Sequence, residues 1–539
     1  MPQLSRLTAR FLAHPRWSAL LLGALAACGF QPLSLWPLTL LAMAGLIELI
    51  ARAPTRKDAA LIGWLFGVAH FSLGNNWIAT AFTYQANMPA WLGGIAVVLL
   101  SLYLAVYPML AVLGGWWLSR RTGSQGEAAL LPGFAACWII SEWLRAWVFT
   151  GFAWNPLGMV LLGSFDTPGL AGLARWSGTY GLSGLVVILA GMIRLWPAMA
   201  ARAEPGRRWQ VWAPAIALAL VVTLAMEVPR GDLGQARGTV PFTLVQPDIR
   251  QEDLNDPRQW EDQFLKTASY TVPEQRGLRR LVLWPESGVP DYLRDGYPAH
   301  LYRETTYMAD ASQARRRIGR VIGPGSLLLT GAIDLELEGR QPVAARNVIT
   351  AIDENGAIRG SYAKAHLVPY GEYLPMRWLL EPLGASRLVA GTLDFWPGPG
   401  PHTIDFGPWG KAGMQICYEI VFSGEVADRA HRPDYLFNPT NDAWFGTWGP
   451  PQHLAQARMR AVEEGLPVLR ATTTGISAVI DADGVVRQHV PRHVAQRLDG
   501  LIPPAAAPTL FARLGNMLPL AWAVFLLTLS VIALQRARR

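Results

Sequence analysis

The chain has few of the residues and motifs that support disulfide-stabilised or cofactor-dependent folds. Its 539 residues include only three cysteines, at positions 28, 137 and 417, and this number gives no indication of a disulfide framework. No HExxH motif and no glycine-rich phosphate-binding loop is present, so we expect no metal and no cofactor. Charged residues make up only 16% of the chain, which argues against an ordinary soluble enzyme.

Apolar residues dominate instead, at 51% of the chain, and 23 tryptophans are among them. A membrane-spanning helix needs roughly 20 mostly apolar residues. We predict a transmembrane bundle of about seven helices over residues 1–228 and one further helix, followed by a basic tail, over 511–539. The eight predicted spans are residues 16–32, 34–51, 59–82, 91–118, 128–149, 178–198, 210–227 and 514–535.

Basic residues are distributed asymmetrically between these spans. They lie before the first span and after the second, fourth, sixth and eighth spans, whereas the loops at 31–37 and 83–90 contain none. Since Lys and Arg favour the cytoplasmic side, both termini are predicted to be cytoplasmic and residues 229–510 extracytoplasmic. Much of the net charge of +8 lies in the cytoplasmic segments, so it does not indicate a nucleic-acid partner.

Two polar or aromatic features of the fifth span and the loop after it have more than one interpretation. Glu142 and Arg145 lie three residues apart on one predicted helix face, where they can form an ion pair that locks the bundle or contribute to a substrate site. The loop at residues 150–158 is predicted to leave the membrane. Its Phe152 and Trp154 are candidate lipid contacts, although an interfacial aromatic belt explains them equally well.

The segment from residue 240 to 500 has a different pattern, in which short apolar runs alternate with helical stretches. This alternation predicts an α/β fold for the domain at 229–510, joined to the bundle by a linker at 228–239. The stretch 452–464 has the composition of a helix. The predicted strands are residues 242–246, 281–284, 326–331, 348–353, 412–417, 435–438 and 478–483.

Three side chains with reactive chemistry each follow a strand-like run. Cys417 ends one run and precedes a predicted helix, where a thiol can serve as a nucleophile. Glu286 follows another run before a glycine turn, as a general base can, and Lys364 follows a third, where an ammonium group can stabilise an oxyanion. Taken singly, each residue is also compatible with a role that involves no chemistry. Cys417 can be a small buried hydrophobe, Glu286 a solvated turn carboxylate and Lys364 a surface lysine.

Taken together, Glu286, Lys364 and Cys417 resemble the Glu-Lys-Cys triad of the nitrilase superfamily, in the same order along the chain. The resemblance is specifically to its membrane-bound branch, the apolipoprotein N-acyltransferases, and it covers roughly residues 240 to 500. The matching motifs are WPES, KAHLVPYGEYLP, CYE and NPTNDAWFG.

This resemblance implies a four-layer αββα sandwich outside the cytoplasm and an enzyme of the bacterial inner membrane, with its catalytic domain on the periplasmic side. It implies transfer of a fatty acyl chain from a phospholipid, typically phosphatidylethanolamine, through a cysteine thioester. The acceptor would be the α-amino group of the diacylglyceryl-cysteine at the N-terminus of an apolipoprotein. The expected partners are therefore membrane lipid and lipoprotein, and the protein is expected to act as a monomer.

The same resemblance assigns supporting roles beside the triad and exposes one departure from the family pattern. Glu372 lies where the family has a second glutamate, and Tyr418 and Glu419 are expected to shape the pocket. Asn255 lies near the position of an expected tryptophan, which puts a local substrate contact in doubt, although Trp260 offers a substitute.

Two other classes of function compete with acyl transfer. A membrane-anchored amidase of the nitrilase type would hydrolyse small amides with water, but a single anchoring helix would suffice for it. A transporter with an outer binding domain would need polar residues in several spans, and few are found beyond positions 75, 76, 142 and 145.

Overall fold

The computed structural model describes residues 11–84, 89–120, 127–229, 238–273, 277–380, 382 and 393–538. Most of the predicted linker at 228–239 lies outside these residues. The chain divides into two compact units. The first comprises Met1–Ala79, Ala90–Arg230 and Thr509–Arg539, and the second comprises Thr80–Pro89 and Gly231–Pro508.

The first unit is built from helices, and each of the eight predicted spans falls on them. The long helices are Pro15–Ala27, Trp36–Arg52, Arg56–Gly74, Trp91–Leu104, Val106–Arg120, Glu127–Arg145, Ala174–Arg202, Trp209–Glu227 and Met517–Arg538. Within the described part of the chain, four segments are long and apolar enough to cross a membrane, as judged by length and composition. They are Trp91–Arg120, Leu170–Arg202, Pro205–Glu227 and Met517–Arg536.

The helix in the third predicted span ends earlier than the sequence suggested. It stops at Gly74, and a 3₁₀ helix, Asn76–Tyr84, follows. The side-chain amide of Asn76 donates to the Leu73 carbonyl at 2.9 Å, which satisfies a group that the end of an α-helix leaves without a partner. The segment Thr80–Pro89 belongs to the second unit, where the Tyr84 ring packs edge-on against Trp444 at 5.6 Å.

The second unit contains two six-stranded sheets, and every predicted strand is present. In chain order the strands are β1 Pro241–Gln246, β2 Leu281–Leu283, β3 Leu327–Glu338, β4 Gln341–Asp353, β5 Ile358–Ala363, β6 Thr403–Asp405, β7 Lys411–Met414, β8 Tyr435–Thr440, β9 Val468–Thr472, β10 Ser477–Ile480, β11 Val486–Val490 and β12 Gln496–Leu501. The first sheet has the order β12-β1-β2-β3-β4-β5, and the second has the order β11-β10-β9-β8-β7-β6.

Alternating side chains of both sheets form one apolar core. Strand residues point alternately to opposite faces, so one face of each sheet can be wholly apolar. The other face of the first sheet is covered by the helices Trp260–Thr271 and Ala311–Ile322. The helix Gly449–Glu464 packs against β9 and β10 of the second sheet. Residues of the shared core include Leu244, Leu283, Leu329, Met414, Phe437 and Leu469.

Strand direction determines where the loops of this unit meet. β1, β2 and β3 are parallel, and β5 runs the same way as β3 because both pair antiparallel with β4. In the second sheet β7, β8 and β9 are parallel. Loops that follow strands of one direction emerge at one edge of a sheet, which is the usual position of active-site residues in such folds.

Candidate active site

Glu286, Lys364 and Cys417 converge at these strand ends. Glu286 lies just beyond β2, Lys364 directly follows β5, and Cys417 lies beyond β7. The Lys364 Nζ lies 3.7 Å from Glu286 Oε1. The backbone N–H of Asn441, just after β8, donates to Glu286 Oε2 at 2.8 Å and also acts to lower the pKa of the Cys417 thiol. The structure thus brings the three predicted residues into one buried group.

The backbone at Cys417 differs from the prediction. Strand β7 ends at Met414, and Cys417 begins a short 3₁₀ turn, Cys417–Val421, where a longer helix was expected. The φ angle of Cys417 is 49°, in the left-handed region that non-glycine residues rarely occupy and that is common at functional sites. A five-residue turn lacks the dipole of a full helix, so it offers little of the expected lowering of the thiol pKa.

Burial and nearby charges set the protonation of the lysine and the thiol. Burial opposes the charge of Lys364, which is 1% exposed, but the carboxylates of Glu372 and Glu286 outweigh it and raise its pKa above the ordinary lysine value. Burial raises the pKa of the Cys417 thiol well above its ordinary value; Glu286 raises it further, and Lys364 opposes both effects. The thiol is therefore protonated at neutral pH and needs a base in order to attack.

The side chain of Asn347 and the backbone N–H of Val368, which the sequence did not single out, help to hold the carboxylates of Glu286 and Glu372 in place. The side-chain amide of Asn347 on β4 donates to Glu286 Oε1 at 2.7 Å and to Glu372 Oε1 at 3.1 Å. The Lys364 Nζ donates to Glu372 Oε1 at 3.0 Å, and the Val368 N–H donates to Glu372 Oε2 at 2.8 Å. A lone asparagine in the apolar run of β4 was the only available signal for Asn347.

Glu419 connects the loop of the lysine to the loop of the cysteine. Its Oε1 accepts from the Tyr362 hydroxyl at 2.8 Å and from the Ala365 N–H at 2.7 Å, while its Oε2 accepts from the Ile416 N–H at 2.7 Å. Burial raises the pKa of Glu419, against the effect of these donors. Tyr418 is also buried, and its ring packs edge-on against Phe422 at 5.1 Å.

In the first unit, the predicted lipid-facing orientation of Trp154 is corrected. Trp154 is 1% exposed and packs against Trp77 with ring centroids 4.6 Å apart. Its carbonyl accepts from Arg145 Nη1 at 2.8 Å, which ties the loop to the helix that precedes it. Phe152 is half-buried, 6.0 Å from the Arg145 guanidinium.

The partners of Glu142 explain how a carboxylate is accommodated inside the helical unit. Its Oε1 accepts from the Trp138 ring N–H at 2.9 Å and from the Leu157 N–H at 2.8 Å, and its Oε2 accepts from the Ser183 hydroxyl at 2.5 Å. Buried charges are tolerated when such donors surround them. Glu142 and Arg145 therefore both fasten the segment 150–158 to its own helical unit.

Asn255 directly follows the short helix Gln251–Leu254, and Trp260 begins the next long helix. The Trp260 ring N–H donates to the Leu254 carbonyl at 3.2 Å. This hydrogen bond holds Trp260 against the end of the preceding helix, next to Asn255, where the sequence departs from the family pattern.

His366, in the loop that follows Lys364, is engaged in contacts away from the triad. His366 pairs with Glu425 at 2.8 Å and stacks on Phe422 at 4.1 Å. Among the residues that the structure describes, no group of three or more His, Cys, Asp or Glu side chains is arranged to hold a metal ion.

Glu286→Gln is expected to shift the alkylation of Cys417 by iodoacetamide to lower pH. The Glu286 carboxylate raises the pKa of the thiol, so its removal lowers that pKa and increases the thiolate fraction at a given pH. The measurement is the alkylation rate against pH, followed by intact mass. The exposed Glu304 provides a control, since Glu304→Gln should leave the profile unchanged. An alkaline shift in Glu286→Gln would contradict this electrostatic arrangement.

A buried Glu-Lys-Cys group at the strand ends of two facing sheets defines an enzyme of the carbon-nitrogen hydrolase class. In agreement with this, residues 243–493 match the carbon-nitrogen hydrolase family, and residues 22–192 match the apolipoprotein N-acyltransferase N-terminal domain. The chain belongs to the apolipoprotein N-acyltransferase family, as its similarity to curated relatives shows.

Two relatives illustrate the extent of the match. The apolipoprotein N-acyltransferase of Rhodopseudomonas palustris is 35% identical over 562 aligned residues, which cover 99% of this chain and 98% of the relative. That of Bradyrhizobium diazoefficiens is 34% identical, with coverage of 97% and 95%. Among solved structures, a nitrilase-superfamily amidase of Nesterenkonia AN1 is 18% identical with a TM-score of 0.33, and the match covers 50% of this chain and 93% of the amidase.

Proposed function

We propose that the enzyme moves a fatty acyl chain from a phospholipid to the α-amino group of the diacylglyceryl-cysteine of an apolipoprotein. Phosphatidylethanolamine is the proposed donor, and the products are a lysophospholipid and an amide-linked, triacylated lipoprotein. The observation that carries this proposal is the buried group of Glu286, Lys364 and Cys417 in a chain of this family. It supplies a nucleophile, a base and an oxyanion partner together.

In the first half-reaction Cys417 Sγ attacks the ester carbonyl carbon of the phospholipid. Glu286 accepts the thiol proton as the S–C bond forms, and the Lys364 ammonium group stabilises the oxyanion. The ester C–O bond then breaks, and the departing oxygen takes the proton from Glu286. A lysophospholipid leaves, and the acyl chain remains on Cys417 as a thioester.

In the second half-reaction the α-amino group of the acceptor attacks the thioester carbonyl carbon. Such an amine has a pKa of about 8 and must be neutral to attack. Glu286 takes a proton from the attacking nitrogen, the C–S bond breaks, and the thiolate of Cys417 recovers that proton. The order of events is ping-pong, because the lysophospholipid leaves before the acceptor reacts.

The residues around the triad have positioning roles in this scheme. Glu372 holds the Lys364 ammonium group, to which it is bonded at 3.0 Å, and this contact supports the electrostatic role expected from the sequence. Glu419 fixes the spacing between the lysine and cysteine loops through its three donors. Tyr418 contributes an aromatic wall beside Phe422.

The proposed location is the bacterial inner membrane, with both termini in the cytoplasm. Residues 1–228 and 511–539 form the membrane bundle, and residues 229–510 form a periplasmic αββα domain. The distribution of Lys and Arg between the helices supports this orientation, and the apolar helical segments support membrane residence. The protein acts as a monomer in this proposal. Phe152 remains a candidate lipid contact.

The test uses purified full-length protein in detergent micelles containing phosphatidylethanolamine with an isotope-labelled acyl chain. A synthetic diacylglyceryl-cysteine peptide serves as the acceptor, and products are quantified by mass spectrometry. We expect the labelled amide and the lysophospholipid to accumulate in equal amounts. The same peptide with an acetylated α-amine is the matched control and should give no amide.

Release of labelled free fatty acid, without amide, would contradict the proposal and indicate water as the acceptor. Turnover of small soluble amides with no reaction of phospholipid would favour the competing amidase function. Either result would leave the triad geometry intact. The first would overturn the assignment of the acceptor, and the second would overturn the assignments of both donor and acceptor.

A further inference from the structure

A buried histidine on the helix Gly449–Glu464 bonds to the backbone of the nucleophile. His453 is fully buried, and its Nε2 lies 3.0 Å from the carbonyl oxygen of Cys417. Its Nδ1 lies 2.9 Å from Asp442 Oδ1. Nothing in the sequence pattern relates residue 453 to residue 417.

Asp442, which contacts His453, is itself held by hydrogen bonds, and these fix the orientation of the histidine ring. Asp442 Oδ2 accepts from Arg470 Nη2 at 2.7 Å, and the other amino group of Arg470 donates to Asn438 Oδ1. Burial opposes the charge of Asp442, but Arg470 and His453 outweigh it and lower the pKa of this aspartate. Asp442 is therefore an ionised acceptor.

The direction of the bond to Cys417 follows from its chemistry. A carbonyl oxygen only accepts, so Nε2 of His453 must carry a proton. Burial and Arg470 lower the pKa of His453, whereas Asp442 and the Cys417 carbonyl favour its charged form. The Nε2–H donor is present in the imidazolium and in one neutral tautomer. The bond to Cys417 alone does not fix the charge of the ring, but an ionised Asp442 accepts only from an Nδ1–H, so the two contacts together are satisfied by the imidazolium.

This bond controls more than one atom of the active site. The peptide unit that carries the Cys417 carbonyl is planar and also carries the N–H of Tyr418. Cys417 has a φ angle of 49°, a strained conformation that persists only where surrounding contacts enforce it. Asn438 Nδ2 also approaches the same carbonyl, but at a longer distance of 3.4 Å. His453 thus makes the shorter of these two side-chain contacts.

We propose that His453 is a positioning residue for acyl transfer, whose Nε2–H holds the Cys417 carbonyl and so aims the thiol at the acyl carbon and the Tyr418 N–H at the acyl oxygen. This inference rests on the proposed function, since it concerns the rate at which Cys417 is acylated. It assigns His453 no proton transfer to substrate. Asp442 and Arg470 act through His453 by fixing the ring.

The test compares two replacements of similar size and polarity. In His453→Gln the side-chain amide nitrogen can occupy the place of Nε2 and keep the bond to Cys417. In His453→Asn the shorter amide reaches only the place of Nδ1 and loses that bond. We expect the acylation rate constant to fall about 100-fold in His453→Asn, as for a misplaced reacting group. In His453→Gln it should stay within about fivefold, since the hydrogen bond is kept.

The readout is the single-turnover rate of acylation by phosphatidylethanolamine micelles, measured by intact mass and corrected for the folded fraction. A merely structural role predicts equal rates for the two variants at equal folded fraction, and that result would overturn the inference. Failure of the proposed function itself is distinguishable, because the wild type would then form no acyl-enzyme.

A third variant keeps the inference testable if neither replacement folds. In Asp442→Asn the amide oxygen can accept from Arg470 while the amide nitrogen donates to Nδ1 of His453. This arrangement enforces the neutral tautomer with Nε2–H, so we expect acylation within about threefold of the wild type. A loss as large as about 100-fold in this variant would overturn the inference.

Discussion

Cys417→Ala is expected to abolish formation of the acyl-enzyme and to lower acyl transfer by about 10⁴-fold or more, since removal of a nucleophile eliminates covalent catalysis. The Cys417 thiol lies within the electrostatic influence of both Glu286 and Lys364, and it is the nucleophile of the proposed mechanism. Alanine fits the same space, so the thermal midpoint should change little. The measurement is the intact mass after incubation with phosphatidylethanolamine micelles, together with the rate of amide formation.

The chain provides matched controls for this change in Cys28 and Cys137, which lie in the helical unit. Cys28→Ala and Cys137→Ala should each retain the acyl mass increment. Hydroxylamine should remove this increment, as expected for a thioester. An acylated Cys417→Ala protein that transfers its acyl chain to the lipopeptide would place the nucleophile elsewhere.

Lys364→Met is the second change with a large expected effect, on both rate and stability. The lysine lies 3.0 Å from Glu372 and 3.7 Å from Glu286, and without it two buried carboxylates face each other without their cation. Removing one partner of a buried ion pair in this way lowers the free energy of unfolding by about 3–5 kcal/mol. Loss of the oxyanion partner should lower the rate by about 10²–10³-fold, as seen for other oxyanion donors.

The pH dependence of this destabilisation has a definite sign. Because the pKa of Lys364 is raised, its stabilising contribution is fully present below the ordinary lysine pKa and is lost only as the pH rises through the folded value. The wild type therefore keeps this contribution at acid and neutral pH. In Lys364→Met, protonation of one carboxylate relieves the repulsion, so the difference in thermal midpoint from the wild type should shrink as the pH falls.

The exposed Lys411 gives a control for charge removal, and Lys411→Met should leave both rate and midpoint nearly unchanged. A Lys364→Met protein with wild-type acyl transfer would contradict the role of Lys364. A midpoint difference that grows toward acid pH would contradict the proposed repulsion between Glu286 and Glu372.

The sequence predicted the strands for a simple physical reason, whereas the grouping of the three reactive side chains was predicted from the resemblance to the nitrilase triad. Apolar runs of strand length mark buried strands, and residues that follow parallel strands meet at one edge. Glu286, Lys364 and Cys417 each follow such a run, which accounts for their proximity in the structure. The motifs around them then indicated the family, to which the chain belongs.

Other parts of the site depend on tertiary contacts that local patterns do not encode. Asn347 holds two carboxylates, and His453 bonds to the carbonyl of a residue 36 positions earlier. The sequence extended β7 through Cys417, whereas the strand ends at Met414 because the following residues form a 3₁₀ turn. Trp154 was a candidate for a lipid contact or an interfacial aromatic belt, but its packing against Trp77 buries it, a contact that periodicity alone does not reveal.

The most direct test of acyl transfer through Cys417 separates the two half-reactions of the enzyme. Wild-type protein is acylated with phosphatidylethanolamine, freed from lipid by exchange into clean micelles, and then mixed with the diacylglyceryl-cysteine peptide while its intact mass is followed. We expect the acyl mass increment on the protein to disappear as an equal amount of triacylated peptide forms. An increment that persists in the presence of the peptide, or that is released only as free fatty acid, would contradict acyl transfer through Cys417.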